Sequence, residues 1–418
     1  MSYEITVSYN GAEIHSGSAN DTVTLHTSGK LMASDVEVVL EQGADPVLDN
    51  NSWDIISQVG AKGRGANYWS IGDTKQVHLE GTMGTLSLNT DLWVYIIGFN
   101  HRNVNGITFQ GFKTAASGGT DVCLVDSGYG SNYYSGSKNF NINHWGTNSG
   151  TYNTNYGGWK GCDLRYDILG STSTAPSGYG SKATTSRVGY DASSTTATNP
   201  VNNTLMSCLP SDLRAVMQPM IVYTDNKGNS SNTSANVTTS VDYLPLLAEF
   251  EVFGARTYAN TYEKNSQSQY SYYSAGNSKI KYKHSATSTA AHWWERSPGY
   301  SYAYTFCYVY TGGTSGGNSS RSSLGIAPMF LVGRDDGDII QFFINGQVFH
   351  AEKDMTWSAW ASSEYNTSDH YYYTSVSTDT VCAGPSGAVA STPTASNPVS
   401  LSDTIERNQS YYHIRYDG

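Results

Sequence analysis

A chain of 418 residues is too long for one ordinary hydrophobic core, so more than one domain is expected. Only 14% of it is charged and 12% is aromatic, with 32 tyrosines. That balance excludes a highly charged disordered chain, and Gly, Ser, Thr and Asn in quantity suit short strands joined by turns. The formal net charge of -11 argues against nucleic acid or an anionic membrane as partner.

The start, MSYEITVSYN, lacks the basic-then-apolar layout of a secretory signal, and no apolar run approaches a bilayer span. The expectation is therefore a protein made in a cytosol without membrane insertion. Period-two alternation from Tyr3 to Tyr9 and from Val36 to Leu40 predicts a small β module over residues 1–45. GADPVLDNNSW then reads as a linker, because Gly43, Pro46 and Asn50-Asn51 break helix and strand alike. From residue 50 to 333 the pattern predicts strands such as Leu92 to Phe99 and Met220 to Tyr223 between long polar loops. One helix is expected between Asn202 and Met217, with Ser211 as N-cap and Pro219 as stop. The fold class expected is α+β, rich in strand. Loops 113–160 and 170–200 exceed ordinary connections. After GRDDGD, the run QFFINGQVFHA predicts a hairpin turning at Asn345-Gly346, opening a small C-terminal β domain over residues 339–418.

Chemistry finds little footing. Cys123, Cys162, Cys208, Cys307 and Cys382 are odd in number and scattered, never in CxxC or Cys/His ligand spacing, so they read as small buried thiols and no metal site is expected. The ten histidines are isolated, and GxSxG, HExxH and P-loop patterns are absent. Asp335, Asp336 and Asp338 could ligate calcium, but read more simply as a solvated linker. The expectation is a non-enzyme without cofactor.

Tyrosine is the informative residue. Tyr300, Tyr302, Tyr304, Phe306, Tyr308 and Tyr310 share parity, so on a continuous strand they would line one face. A buried face would need a partner for every phenol, so at least three are expected in solvent, with Phe306 and Cys307 pointing inward. Tyr with Ser, Gly and Asn is also the alphabet of antibody paratopes: wide rigid contact with adaptable hydrogen bonding. The ligand-binding residues expected are Tyr300, Ser301, Tyr302, Tyr304, Tyr308, Tyr310, Asn318 and Arg321. Tyr133, Tyr134, Tyr270, Tyr272 and Tyr273 are further candidates for the same rim.

Three stretches carry a resemblance: GWKGCDLR (158–165), LLAEFEVFGARTYA (246–259), and WWERSPGYS continuing to LGIAPMFLVG (293–333). Together they resemble a family of uncharacterised domains in virion proteins of gut bacteriophages. TLHTSGKLMASDVEVVL and INGQVFHAEKDMTWSAWASSEYNT resemble the N- and C-terminal modules of phage tail proteins. The resemblance implies a C-type-lectin-like central domain, flanked by small β domains, of the kind used by variable proteins of diversity-generating retroelements such as a major tropism determinant. It also implies a variable segment, here residues 299–323, within a structural frame of Trp293, Trp294, Arg296 and Pro298. Arg296 is expected to pair with Glu249 or Glu251, and Arg165 to be held likewise.

The function expected on this basis is phage receptor binding or host adhesion at the virion surface. The N-terminal module would dock to other virion proteins, and a homotrimer would multiply weak contacts with a host cell-surface protein or glycan. The alternative is a structural head or tail decoration protein. A depolymerase would need two carboxylates facing across a cleft, and no spacing singles out such a pair.

Overall fold

The computed structural model describes residues 44–131, 138–143, 154–181 and 187–333 in full and, before and after them, only strands. The chain divides into two compact units, residues 46–334 and a second made of residues 1–45 with 335–418. The two terminal stretches, read from the sequence as separate modules, thus fall in one unit.

In that second unit, strands Ala12–Ser18, Ser2–Tyr9 and Val36–Gly43 form an antiparallel sheet with Ser2–Tyr9 in the centre. The expected alternating stretches both lie on it. Ile340–Ile344 pairs antiparallel with Gln347–Ala351, Ile344 opposite Gln347, as the hairpin reading requires, and Ile340–Ile344 also lies parallel to Ser410–Arg415. Asn345, Gly346, Asp335, Asp336, Asp338 and Cys382 lie outside the described residues.

The unit of residues 46–334 is strand-rich with a few short helices, an α+β architecture. Its largest sheet has five strands in the order Thr74–Met83, Leu86–Phe99, Ile107–Lys113, Met329–Val332 and Met217–Gln218, all neighbours antiparallel. Thr74–Met83, an edge strand, shows why alternation predicts strands: Lys75, Val77 and Leu79 are buried while Gln76, His78 and Glu80 face solvent. Met329–Val332 is covered on both sides and reads instead as an unbroken apolar run.

One helix escaped the sequence reading. Trp53–Ala61 begins at Ser52, whose hydroxyl accepts from the Ile55 N–H at 3.3 Å, and it buries Trp53, Ile56 and Val59, the i, i+3, i+6 stripe of a half-buried helix. Trp53 meets Phe109 and Phe330 of the sheet edge to face, at 5.4 and 6.2 Å between ring centroids. Gly60 lets the helix approach the sheet, since a Cβ there would sit 2.8 Å from the Val332 carbonyl. The helix expected between Asn202 and Met217 is two, Leu205–Cys208 capped by Thr204 and Ser211–Val216, with Pro210 at the second N-cap instead of Ser211. Pro210 imposes the break because its ring cannot continue the preceding helix.

A second sheet carries the candidate site. Trp293–Pro298, Thr305–Val309 and Ser315–Ser319 pair antiparallel in that order, and every residue of the first two strands is buried. Cys123, Cys162, Cys208 and Cys307 are buried free thiols, and burial pushes Cys123 and Cys162 up to about 12. Among the described residues no helix is long and apolar enough to cross a membrane.

Candidate functional site

The four residues expected to form the frame are all buried in one strand. Trp293 and Trp294 are fully buried, their indole N–H groups donating to the carbonyls of Lys279 (2.9 Å) and Phe140 (2.8 Å). Pro298 closes the strand opposite Phe306. Arg296 grips Glu251 with both arms, at 2.5 and 2.7 Å, and spends its other protons on Leu246 O and Thr224 Oγ1, both 2.8 Å away. Of the two partners expected, Glu251 is the one used. Glu249 instead accepts from the N–H groups of Tyr258 and Ala259 and from the Ser315 hydroxyl. Arg165 pairs with buried Asp242, which also accepts from Ser171 and Ser240.

The expected continuous face of tyrosines does not form. Only Thr305–Val309 is strand, while Gly299 to Tyr304 is a turn that returns the chain, with the Gly299 N–H bonded to Thr305 O at 2.9 Å. Parity therefore fails to sort inside from outside. Tyr302, Tyr304 and Tyr310 are 58%, 42% and 44% exposed, Tyr300 is half-buried and Tyr308 is 3% exposed. Phe306 and Cys307 point inward as expected. Tyr308 leaves the expected rim because it belongs to a strand covered on both sides, where its ring packs on Trp294, His292 and Tyr310. Burial, then the neighbouring Tyr310 phenol, raises its pKa above the ordinary tyrosine range.

Of the other expected contacts, Ser301 is exposed. Asn318 is half-buried, its side-chain oxygen accepting from the Ser319 N–H and the Ser322 hydroxyl. Arg321 is half-buried, and its carbonyl accepts from Asn141. Tyr270, Tyr272 and Tyr273 are buried, a correction with a clear cause: they lie on and before a helical turn, Ser271–Ser274, that packs into the core. Tyr133 and Tyr134 lie outside the described residues.

The sequence reading missed what holds the turn. Fully buried Asn155 sends its side-chain amide to three carbonyls, those of Gly299 (3.1 Å), Tyr302 (3.1 Å) and Thr305 (3.0 Å), and its own N–H to Ala303 O at 2.7 Å. Its side-chain oxygen accepts from the Asn229 N–H at 2.8 Å, so one residue joins the turn to the 225–229 loop. Nothing in the local pattern around Asn155 announces this, since its partners in the turn are more than 140 residues away in sequence.

The glycines between the rings were missed as well. A Cβ at Gly316 would lie 2.6 Å from the Tyr310 ring and 2.7 Å from the Tyr308 ring. Next to it, Gly317 lies under Tyr258, 3.6 Å from the position of an added Cβ. Tyr258 is 40% exposed and accepts from the Tyr300 N–H through its carbonyl at 2.9 Å. Beyond Tyr300 stands Arg256, its guanidinium 4.8 Å from the ring centroid; hydrogen bonds first from Ser301 and then from Arg256 lower the phenol's pKa. On the other side His292 meets the Tyr310 ring edge to face at 5.2 Å, and its backbone N–H donates to the Tyr129 hydroxyl at 2.7 Å. Lys283 covers the Tyr129 ring at 4.3 Å. Burial lowers the pKa of His292, whose Nδ1 accepts from the Thr311 N–H at 3.2 Å. The result is an aromatic track around the glycines of the edge strand Ser315–Ser319, Tyr308 and Tyr310 on the side of Gly316 and Tyr258 on the side of Gly317, with a cation at either end.

Residues 147–333 match a family described as a domain of unknown function (DUF6273). The match spans all three stretches that carry the resemblance in the sequence, together with the whole of the track from Arg256 to Tyr310. No curated protein and no solved structure matches the chain.

Proposed function

We propose that this chain is a phage receptor-binding or host-adhesion protein, without catalytic activity, that presents its tyrosine turn and track from a C-type-lectin-like domain at the virion surface. The observation that carries the reading is the exposure of Tyr302, Tyr304 and Tyr310 beside two strands in which every residue is buried. Large apolar rings left in solvent on a rigid base are the signature of a recognition surface, because a monomer core has no use for them. Tyr302 and Tyr304 lean together at 5.5 Å, and Asn155 fixes the backbone beneath them, so little ordering is left for a ligand to impose. In this reading the unit built from residues 1–45 and 335–418 serves docking to the particle, and residues 299–323 are the segment open to diversification.

Host adsorption of particles carrying Tyr302→Ala, Tyr304→Ala and Tyr310→Ala together tests the proposal. Adsorption is expected to fall by about tenfold or more, as when clustered aromatic anchors are removed. Unchanged adsorption with intact particles would favour a decoration protein instead.

A further inference from the structure

We propose that the ligand of the aromatic track is an acidic polysaccharide, with sugar rings resting on Tyr258, Tyr310 and the Tyr302–Tyr304 pair and carboxylates meeting Arg256 and Lys283. This rests on the adhesin reading and names the chemistry of its ligand.

The first support is charge. The whole chain carries a net charge of -11, yet between residues 254 and 333 there are seven lysines and arginines against only two acids, Glu263 and Glu295. Both acids are fully buried, so this surface offers no carboxylate from its own stretch. Glu295 is pushed well above the ordinary glutamate range by desolvation, with neighbouring carboxylates adding to the effect. One carboxylate, Glu249, lies buried beside the edge strand, where two backbone N–H groups and the Ser315 hydroxyl absorb its charge. Lys281 and Arg296 are committed to internal ion pairs with Asp121 and Glu251. Arg256 and Lys283 stand at the two ends of the track with a phenol ring beneath each, and among the described residues neither has a carboxylate partner. A protein that is acidic overall has here a stretch whose own acids are buried while two of its cations are not ion-paired among the described residues, and such a stretch suits an anion.

The second support is the kind of apolar surface. Every large hydrophobic side chain exposed between residues 254 and 333 is a tyrosine: Tyr258, Tyr262, Tyr302, Tyr304 and Tyr310. A protein partner would be expected to meet aliphatic anchors or a pocket for its own. Exposed phenols around a glycine-bearing strand edge, among serine, threonine and asparagine, instead match the C–H faces and hydroxyls of a sugar chain.

The test uses the full chain on an array of uronate- and sialate-bearing glycans, each beside its carboxyl-reduced counterpart, with poly-L-glutamate as a protein-like polyanion. At least one acidic glycan is expected to bind about tenfold tighter than its reduced form and to weaken as salt rises to about 0.5 M. Arg256→Gln and Lys283→Gln should each weaken it about three- to fivefold with the thermal midpoint unchanged. Equal binding of acidic and reduced glycans, or binding of poly-L-glutamate as tight as that of any glycan, overturns the inference. So does an array on which no glycan binds while adsorption to host cells still depends on the tyrosines; that last pattern leaves the adhesin reading standing. Loss of tyrosine dependence in adsorption removes the adhesin reading itself.

Discussion

Two groups of tyrosines thirty residues apart, Tyr270, Tyr272 and Tyr273 on one side and Tyr302, Tyr304 and Tyr310 on the other, have nearly the same composition around them and opposite fates. In the first, each ring is enclosed: Tyr273 donates to Gln110 at 2.5 Å, Tyr270 stacks on His101 at 3.8 Å, and Tyr272 packs on Tyr95 at 4.9 Å. In the second, the phenols project from turns. The difference lies in the backbone beneath, a helical turn pressed into the core against turns at the ends of a covered strand. Tyrosine count alone therefore says nothing about recognition; the conformation that displays the ring decides.

Glu251 links the groups, accepting from the Tyr270 N–H through its carbonyl while its carboxylate holds Arg296. Arg296→Ala is expected to cost the most, about 3–5 kcal/mol in denaturant unfolding, because it leaves Glu251 buried without its counter-charge. A loss below about 1 kcal/mol would mean the ion pair is not what joins the core to the strand feeding the turn.

Next in size is a pH effect from the same strand. Among the described residues neither oxygen of buried Glu295 has a hydrogen-bond partner, and desolvation pushes its pKa well above the ordinary glutamate range. Glu263 is likewise raised, to about 7. A carboxyl with a raised folded pKa stabilises fully below its unfolded value, and that contribution is lost as pH rises toward the folded one. Stability should therefore fall as pH rises from about 4.5, up to about 7 for Glu263, by at most about 1.4 kcal/mol per pH unit for each such group, and Glu295→Gln should flatten the slope. His101, His284 and His292, lowered by burial, act oppositely, costing stability only as pH falls below about 6.5. A slope unchanged in Glu295→Gln would sink this account.

The smallest effects compare the tyrosines directly. Tyr273→Phe should lose about 1 kcal/mol with its hydrogen bond, whereas Tyr302→Ala should change stability by less than about 0.5 kcal/mol. Equal losses at both positions would show that the turn tyrosines also serve the core.

Much of this was legible from the residues. Alternation found the strands at Tyr3 to Tyr9 and Val36 to Leu40, and the need to neutralise a buried guanidinium found a glutamate for Arg296. Counting phenols against available partners anticipated three tyrosines in solvent. Parity did not, since it presumes a strand running unbroken from 300 to 310, and the turn closed by Gly299 and Thr305 interrupts it. The helix Trp53–Ala61 was hidden by its shortness and the glycine and asparagine around it. Asn155, Gly316 and Tyr258 matter only through residues brought near them by folding, information that no window of sequence holds.

The way Asn155 holds the turn has a further consequence. It takes hold of main-chain oxygens alone, at Gly299, Tyr302, Ala303 and Thr305, and of no side chain between 300 and 304. Such a clasp is indifferent to the identity of the residues it secures. The amino acids it displays can be exchanged for others while their anchoring persists, so selection is free to rewrite what this loop says without rebuilding how it stands.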